Sequence, residues 1–209
     1  MTSADETLLG LFPLGLVLLP GEVVPLHIFE ERYKLLIEEH REQGEFGIVL
    51  SEDGELRECG CVARVADVVE TLDDGRMNVL VRGGRRFRIV ELREPDDPEA
   101  EYLSALVEYY DDALPDVPSR LRAAALDAFR ELLLVMDVES PREPGGQGPL
   151  SFRIAAAVEF GMSLKQELLE SLSEEQRLDT LLKVMEALLP RLQLRKEREK
   201  AIRGNGKGD

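Results

Sequence analysis

Between Leu8 and Asp112 the apolar residues come in short runs rich in Val, Ile and Leu, cut by Gly, Asp and Pro, which is the pattern of strands. Strands are expected near Leu9–Leu14, Leu16–Leu18, Phe46–Ser51, Cys59–Leu72, Met77–Leu92 and Leu103–Tyr110. Asp73-Asp74-Gly75, between the fourth and fifth of these, is a hairpin signal, because Asp and Gly tolerate the positive φ angles of tight turns. Long twisted strands joined in this way tend to close into a barrel. One helix interrupts the half: Tyr33, Leu36, Ile37 and His40 share a stripe at i, i+3, i+4 and i+7, with Gly44 as the terminating residue. This helix is expected to cap the barrel.

Past Pro115 the period changes from two to about 3.6. Leu121, Ala125, Phe129, Leu132 and Met136 lie on one helical face, and a helix over Leu150–Phe160 follows the Pro- and Gly-rich segment 140–149, read as a mobile loop. Ser163 to Gln166 has the spacing of a capping box opening a short helix, and Ser173 to Gln176 opens a longer one. Leu178, Leu181, Met185, Leu188 and Leu192 line that last helix, Pro190 is expected to kink it, and a charged extension runs from Arg195 to Arg203. The organisation expected is a β subdomain over 1–113, a helical subdomain over 114–203 and a disordered tail over 204–209.

Charge sharpens this division. The chain of 209 residues carries 26 basic and 42 acidic side chains, a net charge of −16. Residues 1–112 hold 11 basic and 26 acidic groups, net −15, whereas 113–209 hold 15 and 16, net −1. Such a balance repels phosphate backbones and anionic membranes, so nucleic acid is a poor first partner. Cys59 and Cys61, the two cysteines, are too close in sequence to staple the fold, which favours a reducing compartment and a cytoplasmic location. The apolar stretch Leu8–Leu19 is preceded by Asp5 and Glu6 and broken by Pro13, Gly15 and Pro20, unlike an export signal.

Catalytic chemistry finds little to use. No phosphate-cradling loop occurs, since Val81 to Phe87 (VRGGRRF) lacks the lysine and hydroxyl, and no Gly-x-Ser-x-Gly elbow is present. His40 completes the apolar stripe of its helix, and His27 alternates with Leu26 and Ile28 in an extended segment, so both read as structural hydrogen-bonding groups. Cys59 and Cys61 read as buried small hydrophobes rather than metal ligands. The cluster Arg82, Arg85, Arg86 and Arg88 stands out in an acidic half; ion pairing with its neighbours is the expected use. Gly83-Gly84 within that strand implies a bulge or close backbone approach that swings Arg86 to a new direction.

The segment Leu11–Tyr33 (LFPLGLVLLPGEVVPLHIFEERY) closely resembles the opening motif of the Lon protease N-terminal, substrate-binding domain. Gly60–Ala63 (GCVA), Val79–Ile89 (VLVRGGRRFRI) and Tyr102 match further along, and Lys165–Glu170 (KQELLE) with Arg177-Leu178 resembles the helical part of the same family. The resemblance implies an α+β fold: an N-terminal PUA-like β-barrel of about six strands with one capping helix, then a C-terminal helical bundle. It also implies a non-catalytic module that binds unfolded or extended polypeptide segments, acting as a protein quality-control adaptor beside a protease or chaperone. The ATPase and Ser-Lys protease domains of full-length Lon do not follow within these 209 residues, so a standalone member without enzymatic activity, cofactor or metal is expected. The binding surface is assigned to Pro25, His27, Phe29, Tyr33 and Arg86. The alternative is an RNA-binding PUA-like module using Arg82–Arg88, and a small-molecule enzyme built on His27 with Cys59 or Cys61 is a third reading.

Overall fold

A computed structural model describes residues 7–42, 44–98, 101–111, 117–139, 142–146 and 148–205. Among the described residues the strands are β1 (Thr7–Leu14), β2 (Val23–Ile28), β3 (Phe46–Glu52), β4 (Glu55–Thr71), β5 (Met77–Arg93) and β6 (Ser104–Tyr109). The helices are α1 (Glu31–His40), α2 (Ser119–Val135), α3 (Leu150–Ala157), α4 (Met162–Glu170) and α5 (Glu174–Asn205). The expected 113/114 boundary falls in 112–116, outside the described residues, as do Ser140, Pro141 and Gln147 of the expected loop and 206–209 of the expected tail. Gly204 belongs to α5, which is continuous through Pro190.

The sheet is mixed, in the order β2-β5-β4-β3-β1-β6, and β6 pairs back onto β5. Both partners fit on β5 because it is 17 residues long: its first part, Met77–Arg82, takes β2, and its second, Phe87–Arg93, takes β6. β2 is thereby left outside the closed circuit β5-β4-β3-β1-β6 and, among the described residues, is hydrogen-bonded to one strand only. The β4–β5 hairpin turns at Asp73-Asp74-Gly75 as expected, with Gly75 at φ 80° and its N–H donating to the Leu72 carbonyl at 2.9 Å. Tyr33, Leu36 and Ile37 of α1 are buried, as their spacing implies. Gly44 serves α1 by close approach: a Cβ there would lie 2.6 Å from the His40 Cα.

The strand expected at Leu16–Leu18 does not form. Val17, Leu18 and Leu19 are all buried, and three consecutive buried side chains are incompatible with the period of two of a strand that shows one face to solvent. The segment instead turns at Pro20-Gly21, Gly21 taking φ 80°, and the strand is β2 beyond it. The turn docks on the bulged centre of β5. Gly21 N–H donates to the Gly83 carbonyl at 2.9 Å and Gly83 N–H donates to the Glu22 carbonyl at 2.8 Å. A Cβ on Gly83 would sit 2.0 Å from the Leu19 carbonyl oxygen, so only glycine fits. Gly83→Ala is expected to cost about 1–3 kcal/mol through forced backbone displacement, read as a lowered urea midpoint with unchanged slope; no loss would show that the turn can move aside.

Three further expectations are corrected on the helical side. The helix over Leu150–Phe160 ends at Ala157, where Val158 becomes extended (φ −132°, ψ 135°), although Phe160 is still buried. Met136 is 51 % exposed, because α2 stops at Val135 and Asp137 turns left-handed at φ 65°. Ser163 does not cap α4: that helix begins at Met162 after Gly161, and Gln166 points away to donate to the Cys59 carbonyl at 3.1 Å. Ser173 does serve α5, accepting the Gln176 N–H at 3.3 Å. α5 carries Leu178, Leu181 and Met185 inward, packing against α2 and α3.

Candidate functional site

β2 alternates strictly. Leu26 and Ile28 are buried, whereas Val23, Pro25 and His27 are exposed, and Phe29, one residue past the strand, continues the outward row with 59 % of its surface exposed. His27 Nδ1 lies 2.7 Å from Asn78 Oδ1, and Asn78 Nδ2 donates to Glu70 Oε2 at 2.9 Å. The His27 and Phe29 rings stack at a centroid separation of 6.1 Å. Across the register, Val23 lies opposite Arg82 and then Arg64, Pro25 opposite Leu80 and then Asp67, and His27 opposite Asn78 and then Glu70. The outward row itself is apolar at Val23, Pro25 and Phe29, with Arg82 beside Val23, Asp67 behind Pro25 and Glu70 behind His27, while Arg64 is paired with Glu45.

Three of the five residues expected at the binding surface, Pro25, His27 and Phe29, therefore come together. Tyr33 and Arg86 do not join them. Tyr33 is 7 % exposed, its ring stacked on Phe12 at 4.0 Å with the Arg32 guanidinium 4.7 Å from its centroid, and burial pushes its phenol up. The helical spacing that marks Tyr33 as amphipathic turns it inward. Arg86 is 1 % exposed; its guanidinium donates to the carbonyls of Leu169 and, at 2.8 Å, of Ser171, and stacks over Tyr110 at 4.7 Å. The extra residue of the bulge lies on β5, where Gly83 to Arg86 oppose Cys61 to Ala63, and the alternation beyond it sends Arg86 and Phe87 into separate interiors on either side of the sheet. Val23, Leu80 and Asn78 were not singled out from the sequence, although the period of two that marks Pro25 and His27 already extends to Val23.

The site is anchored from behind by Glu22. Its carboxylate accepts the Leu19 N–H at 2.9 Å and pairs with Lys165 of α4 at 2.5 Å, fixing the point where β2 begins. On the far side, Arg177 of α5 donates to Ser151 Oγ at 2.9 Å and to Glu174, and its guanidinium lies 4.4 Å from the Phe152 centroid. Arg177 and Arg86 both donate to the Ser171 carbonyl, at 2.7 and 2.8 Å.

The other candidates take structural places. His40 Nδ1 lies 2.8 Å from the Leu36 carbonyl and its ring meets Phe46 and Tyr102 edge-on. Cys59 and Cys61 are buried free thiols, and burial drives the Cys61 thiol far above its usual range. Of the arginine cluster, Arg85 pairs with Glu45 at 3.6 Å and stacks on Tyr109 at 3.8 Å, and Arg88 pairs with Glu108 at 2.8 Å. Among the described residues no three His, Cys, Asp or Glu side chains are placed to hold a metal ion, and no helix is long and apolar enough to cross a membrane.

An exposed stripe on an open edge strand, held by a rigid backing, is the geometry of a recognition surface. The family description "ATP-dependent protease La (LON) substrate-binding domain" matches residues 9–187, and the chain belongs to this family. It is 29 % identical over 192 residues to a Lon protease of Halothermothrix orenii, covering 82 % of this chain and 24 % of that protein. A Lon protease of Flavobacterium johnsoniae is 26 % identical over 206 residues, 90 % of this chain and 25 % of that one. The chain thus spans about a quarter of the length of these relatives. Among solved structures, a Lon N-terminal domain protein from Xanthomonas campestris superposes with a TM-score of 0.67 at 28 % identity, over 85 % of this chain and 98 % of that one. The N-terminal domain of a Mycobacterium avium complex Lon protease shares the fold, with a TM-score of 0.62 at 20 % identity over 86 % of this chain and 98 % of that chain.

Proposed function

We propose that this chain holds exposed or unfolded polypeptide segments on the outer face of β2, as a non-catalytic adaptor that presents them to a protease or chaperone. The observation that carries this reading is the solvent-facing row Val23, Pro25, His27 and Phe29, with Val23 41 % and Phe29 59 % exposed, on and just past a strand whose outer edge is unpaired among the described residues. Membership of a substrate-binding family supports it. We read the closed five-strand circuit, with β2 added on β5 as the sixth strand, as the PUA-like barrel of about six strands, with α1 as its cap. The later helices form a bundle behind it, so that residues 1–113 and 114–203 are the two subdomains. Buried free thiols suit a reducing, cytoplasmic setting. The RNA-binding alternative loses support, since Arg85 and Arg88 are paired with carboxylates and Arg86 is buried.

The test uses a reduced, carboxymethylated small protein as a permanently unfolded probe and follows its binding by fluorescence anisotropy. Replacing Phe29 and Val23 together with Ser removes exposed apolar surface without opening the core, and is expected to weaken binding by about tenfold or more at unchanged thermal stability. Undiminished binding by the double variant would reject this site, and absence of binding by the parent chain would reject the function.

A further inference from the structure

We propose that the occupant of this surface is an extended segment that adds as a new strand to the open edge of β2, read through its backbone. This rests on the polypeptide-binding reading above and specifies how the segment is held. The argument begins with Pro25. Antiparallel neighbours alternate between pairs that exchange both hydrogen bonds and pairs whose N–H and C=O groups point away from each other. Gly83 N–H donates to the Glu22 carbonyl at 2.8 Å, which makes Glu22–Gly83 a bonded position. In the register that follows, Val24–Val81, Leu26–Val79 and Ile28–Met77 are bonded, and Val23–Arg82, Pro25–Leu80 and His27–Asn78 are not. Proline, which has no N–H, thus stands where β5 requires none.

The backbone groups of Val23, Pro25 and His27 consequently face away from β5, at the edge where no strand is paired among the described residues. That edge offers carbonyls at all three residues and N–H donors at Val23 and His27, spaced as the backbone of an extended chain is spaced and as a helix or a folded surface is not. Their side chains stand on the exposed face beside it, so a segment docked there lays alternate side chains against Val23, Pro25 and Phe29. Charge sets its direction. Arg82 lies beside Val23, Glu70 lies behind His27, and Asp67 lies behind Pro25; Arg82 and Asp67 have no ion pair among the described residues. The complementary segment is about five residues long, apolar where it passes Pro25, with an acidic residue at the Val23 end and a basic residue at the His27 end.

Two measurements on the full chain test this with one synthetic peptide of that design. His27→Ala and His27→Pro remove the same side chain, but only the second removes the outward N–H. Position 27 has the same outward parity as Pro25, so proline disturbs no bond to β5. His27→Pro is expected to bind at least tenfold more weakly than His27→Ala. On the unaltered protein, N-methylation of the peptide's alternate amides of one parity is expected to abolish binding, and methylation of the other parity to leave it within about threefold. Exchanging the acidic and basic ends of the peptide is expected to weaken binding, with the difference closing at high salt. Equal affinities for the two His27 variants, or indifference to which amides are methylated, would overturn strand addition while polypeptide binding stood. Failure of the parent chain to bind any unfolded polypeptide would overturn both.

Discussion

Arg86→Ala is expected to lower the unfolding free energy by about 3 kcal/mol or more, because hydrogen bonds to a buried charged group and the cavity left by a long side chain both count. Arg86 sits on β5, yet its guanidinium serves carbonyls at the end of α4, those of Leu169 and Ser171. Those carbonyls belong to the last turn and C-cap of α4, where backbone acceptors lack intrahelical partners. The planar cation also stacks over Tyr110 at 4.7 Å and lies 5.3 Å from the Phe152 centroid. Its removal therefore strips acceptors and two aromatic faces at once, at the junction between sheet and helices. Arg86→Lys is expected to recover only part of the loss, since an ammonium neither stacks flat nor forks between two oxygens. Urea unfolding of both variants checks the order; an alanine variant as stable as the parent would show that the junction is held elsewhere.

Glu174→Ala is expected to cost about 3–5 kcal/mol, the range found when one member of a buried ion pair is removed and the other is left charged. Glu174 is 3 % exposed and Arg177 is 2 % exposed. The carboxylate accepts the Ser151 N–H at 2.9 Å, the Ser151 hydroxyl at 2.5 Å and two Arg177 donors at 3.0 and 3.2 Å. One carboxylate thus satisfies the first turn of α3, a hydroxyl and the guanidinium of α5. The double replacement Glu174→Leu with Arg177→Met is expected to cost less than Glu174→Ala alone, because no charge is then stranded. Chemical denaturation of the set measures this, and a double variant worse than the single one would place the cost in lost packing.

Much of this was legible in the chain because local periodicity carries it. The alternation through Pro25, His27 and Phe29 marks an outward row before any coordinate is known. The pair Gly83-Gly84 announces the bulge and the close approach to Leu19. What escaped reading depends on partners far away in sequence. Arg86 looks like a surface cation in an acidic half; only the arrival of Leu169 and Ser171, more than eighty residues later, makes it an interior group. Arg177 and Glu174 look like ordinary first-turn charges of a helix until Ser151 and Phe152 enclose them. Leu16–Leu18 has strand composition, but two of its three residues and the following Leu19 are buried together, which a half-exposed strand does not allow. The tail of Lys165–Glu170, recognised only by resemblance, owes its pattern to the sheet it meets: Lys165 takes Glu22, Gln166 takes the Cys59 carbonyl, and Leu168 and Leu169 are buried.

The central claim is that polypeptide segments are held on β2. Amide hydrogen exchange of the chain, with and without saturating unfolded polypeptide, reads it most directly. Binding on β2 requires new protection at Val23 and His27 and around Phe29, with the strands β1, β3 and β6 unchanged. Protection confined to the helices α2 to α5, or none at all under conditions where the polypeptide is bound, would contradict it.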